Sequence, residues 1–213
     1  MQFEFIGGQL ALDFVNTASN RPLPGETDQM REHLKTYGDL IVWATEAGAL
    51  PDCAPGDLEK AARQHPKIAA RTLDDARAFR ESLYRIFTAF AGGKDAPEAP
   101  AADMQRLNEM FRRANAHRTL CCNTPGTHGA PTFDWAWDAS SAELERVVWP
   151  VALAAAELLT SGDPQRLKEC GGDHCNWLFL DNSKNRSRRW CTMQDCGSKV
   201  KAKRHYDRQR AEA

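Results

Sequence analysis

The stretch CGGDHCNWLFLDNSKNRSRRWCTMQDC, residues 170–196, carries four of the seven cysteines of the chain. They fall into two pairs, Cys170 with Cys175 and Cys191 with Cys196, and fifteen residues separate the pairs. Each pair closes a short loop that can present two sulfur atoms, and two such loops can surround one zinc ion with four thiolates. Because four thiolates fill a tetrahedral coordination sphere, we expect one structural Zn²⁺ here and no metal catalysis.

Two alternatives to this zinc site start from the same residues. The four cysteines could form two disulfides, but cytosolic thiols stay reduced and nothing in the sequence indicates an oxidising compartment. No apolar run reaches about 18 residues, and no basic segment precedes an apolar one at the start, which predicts a cytoplasmic protein outside the membrane. His174 could replace a cysteine as ligand, although its place beside Cys175 suits the same loop poorly.

The segment around and after the cysteines is basic, whereas the rest of the chain is acidic. Residues 165–213 contain 12 Lys and Arg against 6 Asp and Glu, and the first 164 residues contain 16 against 23. This asymmetry indicates an anionic partner, for which we expect double-stranded DNA; a solvated basic end is the alternative. The candidate nucleic-acid-binding residues are Lys184, Arg186, Arg188, Arg189, Lys199, Lys201, Lys203, Arg204, Arg208 and Arg210.

Short strands are predicted at two places in the acidic part of the chain. The first seventeen residues alternate in polarity on both sides of Gly7-Gly8, which predicts a β-hairpin. Between Arg118 and Asp138, two short apolar runs flank a segment rich in Pro and Gly, which predicts a second hairpin.

Helical periodicity dominates the remainder of that part. Apolar residues recur at steps of three and four from Leu34 to Ala44, after Thr72, after Asp103 and from Leu144 to Leu158, which predicts amphipathic helices. Pro150 predicts a kink in the last of them. The expected helix starts are Thr72 with Asp75, Asp103, Ser140 with Glu143, and, for a short helix before the cysteines, Asp163 with Pro164.

Composition and pattern together predict the architecture. With 213 residues, of which 42% are hydrophobic and 27% charged, the chain can bury one sizeable core. We expect an α+β fold: a predominantly helical body with short β-hairpins at residues 1–161, then a small four-cysteine zinc-finger domain at residues 162–213 that ends in a basic helix.

The cysteine segment resembles a known zinc finger. Its pattern Cys170-x4-Cys175-x3-Phe-Leu-Asp-x-Ser-x-Asn-x3-Arg-Trp-Cys191-x4-Cys196-Gly is similar to the CGNR-type finger, named for a Cys-Gly-Asn-Arg stretch at its last ligand. The run GGQLALDFVNT at residues 7–17 resembles the opening of the ABATE domain, which usually precedes that finger. The family is described as stress-induced transcription regulators of bacteria, so the resemblance implies zinc, DNA binding and a sensory body.

The sequence departs from this pattern directly after the last cysteine. Ser198 and Lys199 stand where the family has Asn and Arg. Lysine cannot make the planar bidentate contact that arginine makes with guanine or phosphate. We therefore expect affinity for the DNA backbone to survive while base preference changes.

The body offers one candidate ligand site. Asp13 and Asn16, with Arg77 or Arg80, could line a pocket for a small-molecule effector; a turn at a strand end and a solvated helix face are the alternatives. The chain has no Gly-rich phosphate loop, His-Glu-x-x-His or Gly-x-Ser-x-Gly motif, so we expect no enzymatic activity. The alternative function is a zinc-stabilised module that binds RNA or protein. A homodimer is expected because one small finger has a limited footprint on DNA.

Overall fold

A computed structural model describes residues 3–22, 30–50, 55–91, 98–123, 132–138, 143–161 and 164–211. It confirms the predicted fold class of a predominantly helical α+β body with short antiparallel strand pairs, followed by the cysteine segment. The helices are α1 (Leu10–Val15), α2 (Tyr37–Glu46), α3 (Pro55–Gln64), α4 (Pro66–Ala91), α5 (Ala101–Ala116), α6 (Trp149–Ser161) and α7 (Ser198–Ala211). The strands pair as β1 (Ala18–Ser19) with β2 (Arg31–Glu32), β3 (Arg118–Asn123) with β4 (Thr132–Trp137), and β5 (Leu167–Glu169) with β6 (Leu178–Leu180).

The hairpin predicted around Gly7-Gly8 is wrong, because the chain there turns into helix α1. Gly8 has a φ of 77°, a conformation that favours glycine. The side chain of Gln9 then caps the helix by accepting a hydrogen bond of 2.6 Å from the Ala11 N–H. Every residue of Ala11–Val15 except Asp13 is fully buried. Burial at steps of one, three and four is the pattern of a helix face, which the polarity alternation had concealed.

Helix α4 is the longest element, and it contacts α1, α2, α3 and α5. Its predicted apolar stripe, which includes Phe79 and Phe87, is buried. The helix begins at Pro66 and not at Thr72, because proline suits the first turn, where its missing N–H needs no partner. Thr72 therefore lies inside the helix and forms no capping box. The predicted stop at Gly92-Gly93 lies outside the described residues.

Two other predicted helix starts also change. Helix α5 begins at Ala101, so Asp103 is not its cap. The Asp103 carboxylate instead accepts hydrogen bonds of 2.6 and 2.7 Å from Arg85 of α4 and joins the two helices. The helix predicted from Leu144 is divided into a 3-10 segment, Leu144–Val148, and α6, so Pro150 falls in the first turn of α6. Ser140 and Asp163, predicted as caps, lie outside the described residues.

The second predicted hairpin is confirmed. Strands β3 and β4 pair antiparallel over six residues each, with Leu120 opposite Trp135 and Cys122 opposite Phe133. No helix in the described part of the chain combines the length and the apolar character that crossing a membrane requires.

The core of the body extends into the cysteine segment. Helices α1, α2, α4, α5 and α6 share one cluster of buried apolar side chains, and Leu167 of β5 and Leu178 of β6 belong to it. A second, smaller cluster contains Phe179 and three of the cysteines. Thus β5 and β6 rest on the body, while the division between domains at residues 161 and 162 stays a prediction.

Candidate metal centre and basic surface

The four predicted cysteines come together in the structure. Their Sγ atoms all lie within 4.8 Å of one another, with 3.7 Å between Cys175 and Cys191 and 3.5 Å between Cys191 and Cys196. A zinc–sulfur distance of about 2.3 Å in a tetrahedron places neighbouring sulfurs about 3.8 Å apart. The thiols are free, which does not support the disulfide alternative, and His174 lies outside the group. The donor set therefore fits one zinc ion.

Local backbone geometry holds the first pair. Cys170 follows strand β5, and its N–H donates to the Trp177 carbonyl at 2.8 Å, which closes the loop. His174 and Asn176 have φ values of 57° and 56°, so the chain reverses sharply on both sides of Cys175. A β-carbon on Gly172 would come within 3.0 Å of the Cys196 sulfur, and glycine there lets the two loops approach.

The second pair is held by a helix start and by the first pair. The Thr192 side chain accepts a hydrogen bond from the Asp195 N–H at 3.3 Å and caps the turn Met193–Gly197, which continues into α7. The Cys191 N–H donates to the Cys170 sulfur at 3.2 Å, the kind of bond that stabilises a thiolate. Cys196 is therefore placed one residue before the end of this turn and two before α7.

Without a metal, four neighbouring thiols cannot all be ionised. Hydrogen bonds from Cys175 and Cys191 lower the pKa of Cys170 to about 2. The bond to Cys170 raises the pKa of Cys191 to about 12 and raises the pKa of Cys175, and burial raises the pKa of Cys196. One thiolate and three thiols thus share the site. Bound zinc would supply the positive charge that stabilises all four thiolates and would cross-link the two loops.

Comparison with known families agrees with this geometry. The sequence model of the ABATE family, described as "Putative stress-induced transcription regulator", matches residues 8–162, more than half of the chain. The chain belongs to the ABATE family. The model of the CGNR zinc finger matches residues 166–209, which include all four cysteines. No curated protein sequence matches the chain.

In the CGNR finger, the loop between the cysteine pairs is organised by Asp181, which our sequence analysis did not identify as a site residue. Asp181 is fully buried and accepts hydrogen bonds from Lys168 Nζ at 2.6 Å, Ser183 Oγ at 2.6 Å and the Arg188 N–H at 2.9 Å. Burial alone would raise the pKa of Asp181, but the bonds from Lys168 and Ser183 hold it well below its usual range. An acidic residue two positions before a serine is typical of Asx turns, and this pattern could have identified Asp181 from the sequence.

Arg188 of the finger serves the metal centre internally. Its guanidinium lies over the Phe179 ring, 4.1 Å from the ring centroid. It also donates to the Trp190 carbonyl at 3.0 Å and to the Cys191 carbonyl. This side chain fixes the backbone at the third ligand, and its expected contact with nucleic acid stays a prediction.

The other predicted basic residues lie on the surface, where several have local partners. Lys199 bonds Asp195 at 2.7 Å, Lys203 bonds Asp173 at 2.6 Å, and Arg186 donates to Gln165 at 2.9 Å. Such exposed ion pairs are weak and can be exchanged for phosphate contacts. Five more of them are also exposed: Lys184, Arg189, Lys201, Arg208 and Arg210. The Arg189 guanidinium lies 5.6 Å from the Trp190 ring centroid. The side chain of Arg204 lies outside the described residues.

The two residues that depart from the CGNR pattern make local contacts. Ser198 Oγ donates to the Met193 carbonyl at 2.9 Å, and Lys199 forms the ion pair with Asp195. Both contacts lie within the turn that carries the last ligand. Ser198 and Lys199 therefore stabilise the start of α7.

The structure separates the four residues of the predicted ligand pocket in the ABATE body. Asp13 and Asn16 line one small cavity. Arg77 donates to the Leu34 carbonyl at 2.6 Å, and Arg80, fully buried, makes two bonds of 2.7 Å to the Glu32 carboxylate. Neither arginine lines that cavity. Arg77 and Arg80 instead hold α4 to the β2 region.

Proposed function

We propose that this protein is a non-enzymatic, cytoplasmic transcription regulator of the bacterial stress response, in which the zinc finger binds duplex DNA and the body senses a small ligand. The observation that carries the proposal is the position of α7. It begins two residues after Cys196, a zinc ligand, and its described cations are exposed, namely Lys199, Lys201, Lys203, Arg208 and Arg210. Zinc therefore orients a basic helix relative to the basic loop at Lys184 and Arg189.

This arrangement supports contacts with phosphate more than contacts with bases. Arginine and lysine on opposite sides of a helix can reach both phosphate strands that border a groove. Lys199, at the position where the family has arginine, is engaged by Asp195. We propose that affinity for DNA is carried by the backbone and that α7 lies along it. The expected homodimer would double this footprint and stays a prediction.

The test is a salt titration of binding, measured by fluorescence anisotropy with zinc-loaded protein and mixed duplex DNA. Affinity should fall steeply between about 50 and 200 mM salt because phosphate contacts release counterions. Replacing Lys201, Arg208 and Arg210 by Gln should reduce the salt slope by about 3, one for each lost contact. A matched control replaces Lys60, Arg63 and Arg71 of the body, also exposed, and should leave the slope unchanged. One zinc per chain with no DNA binding at low salt would refute the proposal.

A second candidate function rests on a different observation. Tyr206 lies among the cations of α7 with 61% of its surface exposed, and an exposed aromatic ring can stack on an unpaired base. This favours single-stranded RNA as a partner. Tighter binding to single-stranded RNA than to duplex DNA, lost in Tyr206→Ala, would select this function over the first.

A further inference from the structure

A small cavity lies where the body meets the finger. It has a volume of about 50 Å³, which suits a molecule of a few heavy atoms. Its walls come from helix α1 and the segment before it, from the region around β2, from α2 and from one finger residue. The lining residues are Phe3, Glu4, Asp13, Asn16, Thr17, His33, Trp43 and Trp177.

Several polar groups of the cavity are already committed, and others remain available. Asn16 bonds the backbone of Leu178 with both atoms of its amide, and Thr17 donates to the Phe14 carbonyl. In contrast, the Nε2 atom of His33 is buried and has no hydrogen-bond partner. Such an atom costs free energy unless a bound molecule pairs with it.

The available groups are acceptors. The Asp13 carboxylate accepts hydrogen bonds from the backbone of Gly7, at 2.7 Å to Oδ1, and of Ile6, and it offers further lone pairs, as does that of Glu4. Burial lowers the pKa of His33, so its imidazole is neutral and can accept through Nε2. The acceptors available to a hydrogen-bond donor in this cavity are therefore two carboxylates and one imidazole.

The walls favour a positive charge. The cavity is lined by two carboxylates and by three aromatic rings, Phe3, Trp43 and Trp177, whose faces attract cations. A primary ammonium group carries three N–H donors, one for each available acceptor.

We propose that this cavity binds the primary ammonium group of a small amine, with Glu4, Asp13 and His33 as acceptors. The occupant would contact both parts of the molecule, because Trp177 belongs to the finger. The Trp177 indole also donates to the Ala18 carbonyl at 3.2 Å, next to Thr17 in the cavity wall. A bound amine therefore holds the finger against the body. This regulatory consequence rests on the proposed function, whereas amine binding itself is independent of DNA.

The first test uses the zinc-loaded full chain without DNA, with methylammonium chloride as the probe. The indole N–H signals of the six tryptophans are followed by ¹H–¹⁵N NMR and assigned with Trp→Phe variants. We expect saturable shifts of the Trp43 and Trp177 signals and none of Trp135, which lies on the β3–β4 hairpin and does not line the cavity. Sodium chloride and sodium acetate at equal ionic strength, and tetramethylammonium, which has no N–H donor, should cause no such shift. Equal shifts with every salt, or none with methylammonium, would overturn the inference.

Variants then test the acceptors. Asp13→Asn keeps the oxygen that receives the Gly7 bond but removes the charge, and it should weaken methylammonium binding at least tenfold. Glu4→Gln, at an exposed position where folding is not at risk, should weaken it severalfold. Asp75→Asn on the exposed face of α4 is the matched control and should have no effect. Unchanged affinity in Glu4→Gln and in folded Asp13→Asn would contradict the assignment.

A final measurement separates this inference from the proposed function. The affinity for duplex DNA is measured with and without saturating methylammonium, at constant ionic strength. A change of threefold or more supports a sensing role for the cavity. If methylammonium binds but the affinity for DNA does not change, the amine site is supported and its regulatory role is refuted. If the protein binds DNA but not methylammonium, the amine site is refuted and the proposed function stands.

Discussion

Asn16 shows at the scale of one residue how the body and the finger are joined. Its Nδ2 donates to the Leu178 carbonyl and its Oδ1 accepts from the Leu178 N–H, both at 2.9 Å. The side chain is only 3% exposed, so no water can replace these bonds easily. A single amide thus completes the backbone hydrogen bonding of β6 in the way a neighbouring strand would.

We expect Asn16→Ala to lower the free energy of unfolding by about 2–4 kcal/mol, because it leaves a buried N–H and a buried carbonyl unpaired. Urea unfolding followed by circular dichroism measures the change. Asn115→Ala is the matched control, since Asn115 makes one exposed bond to the Phe111 carbonyl, and it should cost less than about 0.5 kcal/mol. Equal losses in the two variants would show that the Leu178 bonds contribute nothing.

The buried carboxyl group of Asp13 should make the stability of the protein depend on pH. Burial raises the pKa of Asp13 from its ordinary 3.8 to about 6. The folded state therefore binds the Asp13 proton more tightly than the unfolded state does. Protonated Asp13 stabilises the fold below pH 4, and this contribution is lost as the pH rises through 6. We expect Asp13→Asn to be more stable than the wild type by about 1–2 kcal/mol at pH 7, after allowance for solvent screening, with the gap closing towards pH 4. Urea unfolding of both proteins at several pH values in this range measures the difference in their free energies of unfolding. A difference that does not change with pH would contradict the expectation.

At the scale of the element, α1 depends on the glycine before it. A β-carbon on Gly7 would lie 2.7 Å from Leu12 Cβ and 3.0 Å from the Asp13 nitrogen, both in the helix. The Gly7 carbonyl also accepts a bond of 2.9 Å from the Leu180 N–H in β6, so this segment has little freedom to shift. Close approach is what requires glycine at this position.

Gly7→Ala should therefore destabilise the protein by about 1–3 kcal/mol, as overpacking does in a filled core. The matched control is Gly56→Ala in α3, where a β-carbon meets nothing within 4 Å and where alanine favours the helix by up to about 1 kcal/mol. Thermal unfolding should move in opposite directions for the two variants. A stable Gly7→Ala protein would mean that α1 can move away from this segment.

At the scale of the whole molecule, zinc and the body hold different parts of the finger. Strands β5 and β6 contribute Leu167 and Leu178 to the body core. Helix α7, in contrast, follows the second cysteine pair and is exposed along most of its described length. Removing zinc should therefore release the second pair and α7 more than β5 and β6.

This expectation can be checked by hydrogen exchange before and after chelation. After chelation, the amides of α7 should lose protection from exchange and those of α4 and α6 should keep it. Added zinc should restore the protection of α7. Cys196→Ser should imitate chelation, whereas Cys122→Ser, at an exposed position on the β3–β4 hairpin, should not. Loss of protection throughout the body would show that zinc also holds the core.

Zinc binding should also release protons. Three of the four cysteines have a raised pKa in the metal-free site, and ligand thiols must be deprotonated. We expect about three protons per zinc at pH 7, obtained by calorimetry in buffers of different ionisation enthalpy. A release near zero would mean that the thiols are already ionised.

Local sequence patterns alone predict the metal centre, the helical body and the β3–β4 hairpin. Cysteine spacing constrains which sulfurs can meet, and apolar residues recur in α4 at the three- and four-residue steps of one helix face, so both are local signals. The tertiary structure makes Leu10–Val15 a helix, because these six residues, preceded by two glycines, satisfy the strand and helix patterns alike until burial selects one. It also decided that Arg188 serves the metal centre, that Arg80 pairs with Glu32, and that Trp177 closes a cavity with Asp13. These contacts join residues far apart in the chain, and no local pattern records which distant groups the core brings together.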